Sequence, residues 1–248
     1  MNASNIINIE NLTKNYVSAT NQNTLDGINL DVKRGSTVAV IGESGSGKST
    51  LLNILAGLEP PSSGQVKLDG VPIWDLNEGE RSLIRRNLLS IVFQSFNLIN
   101  SLTVWENISF QARLARKWDT SFAENLLEAS GLKHLRNSYP DQISGGEQQR
   151  IAILRAIAAR PKILLADEPT GNLDENNSEI AANLLLKTVS NIGSTLIVAT
   201  HSQAFASKLD ICLKLDNGKL NLCMGFFYQL ALYYLIGVRN LFKWSSWF

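Results

Sequence analysis

Short apolar runs alternate with stretches of helical periodicity along most of the chain. Residues 37–41, 162–166 and 195–199 are continuous apolar runs of the kind that form buried parallel strands. Apolar residues recur at helical spacing over 51–58 and 178–189. Strands that alternate with helices predict an α/β fold with a mainly parallel sheet, in which the working residues lie at the strand ends.

Two regions depart from this alternation. Residues 5–12 and 25–32 are predicted as strands, and Asp69-Gly70 between two short apolar runs is a strong signal for a β-hairpin. Residues from 95 to about 145 have helical patterns, the longest at 104–118. We therefore expect an antiparallel β subdomain and an inserted helical subdomain beside the parallel sheet.

Composition narrows the function classes mainly by exclusion. The apolar fraction of 44% is ample for a packed core, and a net charge of +1 gives a nucleic-acid partner no electrostatic support. Cys212 and Cys223 are too few for a disulfide framework and lack neighbours at metal-binding spacing, so reduced thiols are expected. Residues 1–10 contain no basic residue and no apolar block, so no secretory signal is expected there.

The segment between the first parallel strand and the helix after it fits the phosphate-binding pattern G-x-x-x-x-G-K-[ST] at every fixed position. Backbone N–H groups of a glycine-rich loop and the start of a helix together hold a polyphosphate. We expect Lys48 to lie against the β and γ phosphates of ATP and the Ser49 hydroxyl to ligate Mg²⁺. The candidate nucleotide-binding residues of this loop are Gly42, Glu43, Ser44, Gly45, Ser46, Gly47, Lys48, Ser49 and Thr50.

Two adjacent carboxylates, Asp167 and Glu168, follow the apolar run at 162–166. Carboxylates at the end of a buried strand need a positive partner, and a nucleotide-bound Mg²⁺ would supply one. We expect Asp167 to hold the metal through its water shell. Glu168, which points the other way along the pleat, would polarise the attacking water.

A second glycine-rich helix start, formed by Ser144, Gly145, Gly146 and Glu147, is a second candidate anion site. It lacks the lysine and the preceding strand that a complete nucleotide site needs. One interpretation is a turn that only caps its helix. The other, which we favour, is that this segment completes the nucleotide site of another copy of the chain, so that ATP joins a dimer.

In their order and spacing, these motifs resemble those of the nucleotide-binding subunit of an ABC transporter. In that resemblance Gln94 is the Q-loop glutamine, 143–150 the signature, 163–168 the Walker B segment, 171–174 the D-loop and His201 the switch histidine. The resemblance covers residues 5 to about 220 and implies a P-loop ATPase domain over 1–221. It also implies a head-to-tail homodimer, with ATP between the phosphate loop of one copy and the signature of the other.

The resemblance further implies a role for each matched residue. Lys48, Gln94, Glu168 and His201 would be catalytic, with His201 contacting the γ-phosphate and Gln94 linking the helical subdomain to a membrane partner. The Mg²⁺ ligands would be Ser49, Gln94 and Asp167. Family members often stack an aromatic residue on adenine near the position of Tyr16, although a half-buried core tyrosine is the alternative there.

The subgroup follows from three further segments. Residues 93–99, Glu106-Asn107 and 166–174 resemble ATPases of the lipoprotein-releasing, macrolide-export and cell-division group (LolD, MacB and FtsE types), and Glu43 with Gln148-Gln149 resembles the YbbA-like branch. By analogy, the chain would hydrolyse ATP to power a transmembrane permease, as a cytoplasmic protein peripheral on the inner face of the cell membrane. The alternative is an ATPase of the cell-division type, which regulates an extracytoplasmic enzyme without transport.

Residues 222–248 differ from the rest of the chain. Residues 222–238 contain no charge and approach the length of a membrane span, and Arg239, Lys243, Trp244 and Trp247 suit a membrane interface. Three interpretations stay open: part of a truncated or joined permease, a peripheral membrane anchor, or an extra helix packed on the ATPase. We expect this tail to contact the membrane or the permease.

Overall fold

The computed structural model describes residues 5–16 and 24–223, which form two sheets and seven α-helices. The strands are β1 (Asn5–Lys14), β2 (Leu25–Lys33), β3 (Thr37–Ile41), β4 (Ser63–Leu68), β5 (Val71–Pro72), β6 (Leu89–Val92), β7 (Ile163–Asp167), β8 (Thr195–Thr200), β9 (Ile211–Asp216) and β10 (Lys219–Leu222). The helices are α1 (Lys48–Leu55), α2 (Glu78–Leu88), α3 (Val104–Leu114), α4 (Thr120–Ala129), α5 (Gly145–Ala158), α6 (Glu175–Ile192) and α7 (Gln203–Ala206).

The larger sheet has six strands in the order β10-β9-β3-β8-β7-β6. Every neighbouring pair from β9 to β6 is parallel, and only β10, which returns along β9, is antiparallel. The predicted mainly parallel sheet is therefore confirmed. Because parallel strands end at a common edge, the phosphate loop, His201, Asp167 and Gln94 all lie along that edge.

The smaller sheet is antiparallel, in the order β2-β1-β4-β5, as the hairpin signal predicts. Asp69 and Gly70 form its tight turn with φ of 51° and 81°, the left-handed region that Asp and Gly tolerate best. Lys162 donates to the Asp69 carboxylate at 2.9 Å, and Arg34 forms a second ion pair with it. The turn is thus attached to the start of β7.

Helices fill the segment between β6 and α5: α3, α4 and the short 3₁₀ turns Lys133–Leu135 and Pro140–Gln142. The helix predicted at 104–118 ends earlier, at Leu114, because Arg116 adopts a left-handed φ of 55° that an α-helix cannot continue. Conversely, α6 begins before the predicted residue 178. The Asp174 side chain accepts the N–H of Asn177 at 2.9 Å and so caps the helix three residues earlier.

The six-stranded sheet separates two hydrophobic clusters, and alternate residues of each strand face opposite sides. Val38 and Val40 face the cluster shared by the antiparallel sheet and α1. Ala39 faces the other cluster, which also contains residues of α3, α4, α5 and α6. The helical segment after β6 therefore shares its core with the sheet.

Across residues 5–16 and 24–223, none of the helices has both the length and the apolar character needed to cross a membrane. The three interpretations of the tail concern residues 222–248, of which 224–248 lie outside the described residues.

Candidate active site

The phosphate loop is shaped by glycines that no other residue replaces without strain. Gly47, the residue before α1, has φ 103°, and a Cβ atom there would lie 2.9 Å from the carbonyl oxygen of Thr24. A Cβ atom at Gly42 would lie 2.5 Å from the carbonyl oxygen of Leu215 in β9. Close backbone approach from two sides therefore fixes the path of the loop into the start of α1.

Lys48 is buried at the first position of α1. Its Nζ donates to the carbonyl oxygens of Gly42 and Glu43, both at 2.9 Å, and lies 3.9 Å from Oε1 of Glu168. A buried ammonium group needs such polar partners. The lysine is therefore held inside the curl of the loop, with one carboxylate of β7's end close by.

A cleft of about 320 Å³ opens beside the loop. Its lining consists of Tyr16, Thr24, Gly45, Gly47, Lys48, Ser49 and Thr50. Of the predicted nucleotide-binding residues, Gly42, Glu43, Ser44 and Ser46 belong to the adjoining turn, and the Ser46 hydroxyl is buried with no hydrogen-bond partner among the described residues. Residues 144–147 are not part of the cleft lining.

Glu168 lies between the phosphate loop and His201. Its Oε2 is 2.9 Å from Nδ1 of His201 and accepts the His201 backbone N–H at 3.3 Å. Glu168 has a left-handed φ of 44°, uncommon for a residue other than glycine, asparagine or aspartate. Outliers of this kind cluster at functional sites. The carboxylate thus joins the ends of β7 and β8 in front of Lys48.

Asp167 is half-buried, and burial raises the pKa of its carboxyl, with a smaller contribution from the neighbouring Glu168 charge. Ser49 forms a hydrogen bond with this carboxyl. Oδ1 of Asp167 is buried and has no hydrogen-bond partner in the part of the chain that the structure describes. A carboxylate oxygen left over beside a serine hydroxyl suits Mg²⁺, which takes one or two protein oxygens and completes its shell with water and phosphate. Groups of three or more metal-binding side chains are not found in the described ranges.

Gln94 is exposed just after β6, and the turn after Glu168 holds its backbone. The Asn172 side chain donates to the carbonyl oxygen of Gln94 at 3.2 Å. Two residues further on, Arg155 of α5 binds the carbonyl oxygens of Phe96, at 3.0 Å, and Asn97. The segment after β6 is therefore anchored both to the predicted D-loop and to α5.

The predicted signature forms the first turn of α5. Ser144 is the N-cap: its backbone N–H and its hydroxyl both donate to Glu147, at 2.8 and 2.7 Å. These hydrogen bonds lower the pKa of the Glu147 carboxyl and engage it within its own helix. Further along α5, the buried Gln149 side chain donates to the Pro169 carbonyl oxygen at 2.6 Å. The helix start thus stands beside the Walker B turn but outside the cleft of its own chain.

Tyr16 is 44% exposed at the edge of the cleft. Its hydroxyl donates to Glu59 and lies 3.4 Å from the Thr50 hydroxyl, and Lys14 lies 5.0 Å from the centre of its ring and 3.0 Å from the Glu59 carboxylate. Although burial alone would raise it, hydrogen bonds from Tyr16 and Lys14 lower the pKa of Glu59. The tyrosine is therefore a tethered surface residue, not a core residue.

Four residues that the sequence motifs do not identify as functional contribute to this region: Lys14, Thr24, Glu59 and Asn172. Each reaches the site through a contact between distant parts of the chain. Asn172 alone lies inside a segment that the motifs mark, the D-loop, although its contact with Gln94 has no signal in the sequence.

A sequence model of the family described as ABC transporter matches residues 25–171. YbbA of Escherichia coli K12, an uncharacterized ABC transporter ATP-binding protein, is 45% identical over 224 residues, which are 89% of this chain and 98% of YbbA. The lipoprotein-releasing system ATP-binding protein LolD of Treponema denticola is 40% identical over 219 residues, 87% of this chain and 97% of LolD.

Among solved structures, the dimeric bacterial ABC transporter cassette MJ0796 superposes with a TM-score of 0.77 at 38% identity, covering 86% of this chain and 96% of the cassette. A dimeric post-hydrolysis state of the same cassette, bound to ADP and Pi, also gives a TM-score of 0.77, at 37% identity.

Proposed function

Because the chain belongs to the ABC transporter ATP-binding family, as its motifs predict, we propose that it is the motor subunit of a transporter of the lipoprotein-release or macrolide-export type. Family membership makes it an ATP-binding ATPase. The proposed nucleotide site is supported by the common edge of the parallel sheet, where β3, β8, β7 and β6 all end at predicted site residues. The type is suggested by LolD, whose name assigns it to a lipoprotein-releasing system.

In this proposal the phosphate loop binds the ATP polyphosphate through its backbone N–H groups and the start of α1. Lys48 exchanges the carbonyl oxygens of Gly42 and Glu43 for the β and γ phosphate oxygens. Tyr16 stacks on the adenine, and its bond to Glu59 sets the position of the ring.

Magnesium would be held by Ser49 and Asp167, with Gln94 as a third ligand from the end of β6. The unpartnered Oδ1 of Asp167 beside Ser49 supports the first two assignments. When bound, Mg²⁺ neutralises charge that develops on the phosphate oxygens during phosphoryl transfer.

Hydrolysis itself is assigned to Glu168, which takes a proton from the attacking water. His201, whose Nδ1 lies 2.9 Å from the Glu168 carboxylate, would contact the γ-phosphate. Lys48 is 3.9 Å from the other oxygen of the same carboxylate, so Glu168 connects the phosphate loop with His201.

Ser144, Gly145, Gly146 and Glu147 act on the ATP of a second copy. This assignment is supported by their position outside the cleft of their own chain and by the exposure of Ser144 and Gly145. A head-to-tail homodimer closed by ATP follows from it, and the related cassette MJ0796 is a dimer.

The permease is proposed to dock in a groove of about 380 Å³ between β6 and α3. Its apolar lining consists of Leu89, Ile91, Phe93, Ile99, Phe110 and Leu114. Phe110 and Leu114 are 41% and 54% exposed. Phe93 adjoins Gln94, so a permease segment in the groove would contact the chain next to the nucleotide site. In this proposal the protein lies on the cytoplasmic face of the membrane, with the permease as its membrane partner.

The function is tested with Glu168→Gln, which preserves the side-chain volume but removes the base. Phosphate release should fall by about 10²–10⁴-fold, while saturating ATP and Mg²⁺ should convert the variant to a dimer on size-exclusion chromatography. Glu128→Gln, an exposed substitution in α4, is the matched control and should keep the wild-type rate. A Glu168→Gln chain that hydrolyses ATP at the wild-type rate would contradict the assignment of Glu168 as the base. A Glu168→Gln chain that stays monomeric with ATP would contradict the composite site.

A further inference from the structure

Two thiols outside the proposed nucleotide site face each other across the β9–β10 hairpin. The Sγ atoms of Cys212 and Cys223 are 2.7 Å apart. The Cys223 backbone N–H donates to the Cys212 carbonyl oxygen at 3.0 Å, one step beyond the Leu213–Leu222 pair of the ladder. The two side chains are therefore direct cross-strand neighbours.

The surroundings of the pair assign different roles to the two thiols. Cys212 is 6% exposed and packs in the cluster that contains Ala39, whereas Cys223 is half-buried and more accessible from solvent. Burial, and then the neighbouring thiol, raise the pKa of Cys212 to about 12, so this thiol is the weaker first nucleophile at neutral pH.

We propose that Cys212 and Cys223 are a disulfide-forming site that a low-molecular-weight disulfide such as oxidised glutathione converts to a cross-strand bond. The Cys223 thiolate attacks one sulfur of glutathione disulfide, whose S–S bond breaks and releases one glutathione thiolate. Cys212 then loses its proton and attacks Sγ of Cys223, which releases the second glutathione thiolate. Two cysteines are oxidised, one glutathione disulfide is reduced, and the two protons end on the released thiols.

The bond would connect the two arms of the hairpin at its open end. β9 lies beside β3, and its Leu215 carbonyl oxygen faces Gly42 of the phosphate loop. The turn of the hairpin is tied to β2, because the Asp26 N–H donates to the Gly218 carbonyl oxygen at 2.8 Å. An oxidised chain therefore has Cys223, the second residue of the 222–248 tail, covalently linked to Cys212 of β9.

The test uses the full chain, reduced and then incubated with oxidised glutathione in the presence of a chelator. After denaturation and alkylation, trypsin without a reductant should release peptides 209–214 and 220–239 as one linked species. Neither cysteine of the oxidised chain should react with maleimide. Dithiothreitol should restore both thiols. Cys212→Ser and Cys223→Ser are the matched controls, and neither should give the linked species.

Three results would overturn the proposal. They are full maleimide labelling after oxidation, glutathione adducts without the linked peptides, and links found only in disulfide-bonded dimers on a non-reducing gel. The wild-type chain alone decides between them, so the outcome does not depend on how the serine variants fold. The experiment does not measure ATPase activity. Its result therefore stays valid even if the proposed function is wrong.

Discussion

Gly146→Ala tests how the start of α5 and the start of α6 fit together. A Cβ atom at Gly146 would lie 2.5 Å from Oδ1, 2.6 Å from Cγ and 3.2 Å from Cβ of Asn177. The Asn177 side chain cannot turn away freely, because its Nδ2 donates to Asp174 at 2.6 Å and Arg150 lies 3.4 Å from its Oδ1. A methyl group therefore requires the two helix starts to separate by roughly 1 Å, or the Asp174 hydrogen bond to break.

The expected cost is that of overpacking a close contact, about 2 kcal/mol, which lowers the melting temperature by about 4–8 °C for a chain of this size. The displacement falls between the proposed signature and the D-loop, so ATP-driven dimerisation should weaken while nucleotide binding to the phosphate loop of one chain is preserved. Calorimetry measures the first effect. Size-exclusion chromatography of the Glu168→Gln background, with saturating ATP and Mg²⁺, measures the second.

The double variant Gly146→Ala with Asn177→Ala separates the steric cause from a direct contact with ATP. Removing Oδ1 and Cγ of Asn177 should restore most of the stability that Gly146→Ala loses, giving a coupling of about 1–2 kcal/mol in the double-mutant cycle. Full additivity of the two variants would refute the clash. Restored stability without restored dimerisation would show that Gly146 is needed by the partner's nucleotide and not only by its own chain.

Three further outcomes are expected. Asp167→Asn should raise the melting temperature of the nucleotide-free chain near neutral pH, because the raised pKa of this carboxyl reflects a free-energy penalty on its charged form in the folded chain. The gain in melting temperature should vanish as the pH falls toward 3.8, the pKa of the carboxyl in the unfolded chain. A gain that calorimetry finds to be independent of pH would contradict that cause. Asn107→Ala should lower the free energy of unfolding in urea by about 3 kcal/mol, because this buried side chain binds the backbone of Ile99, Leu102 and Thr103. A decrease below about 1 kcal/mol would show that the segment finds other hydrogen-bond partners. If Glu59 positions Tyr16, Glu59→Gln should raise KM for ATP about threefold at unchanged kcat. An unchanged KM in steady-state assays would show that Glu59 does not have this role.

The sequence is most informative where structure and chemistry are local. The phosphate loop is a contiguous segment whose strand, glycines and helix start are all readable in order, and the same holds for the end of β7 with Asp167. Contacts between distant segments have no such signal. Thr24 approaches Gly47 and Glu59 binds Tyr16 because two sheets and a loop pack together, and neither contact follows from residue type or spacing.

Helix ends show the same division. The start of α5 follows from its own residues, since Ser144 and Glu147 form a capping box within four positions. The end of α3 does not, because the apolar pattern continues to Trp118 while the left-handed backbone at Arg116 stops the helix. Trp118 packs edge-on against Trp105 at a centroid distance of 5.2 Å, a tertiary contact that takes the place of another helical turn.

Two side-chain attachments tie α5 to other segments of the chain, one near each end of the helix, and most residues between them are buried. Gln149 fixes it to the Pro169 carbonyl near its start, and Arg155 holds the backbone of residues 96–97 near its end. Gln149 and Arg155 are about 9 Å apart along the helix axis, and Arg155 lines the apolar groove. A displacement of the first turn by a partner's nucleotide would therefore move the helix as one body and reach the groove without any change in secondary structure.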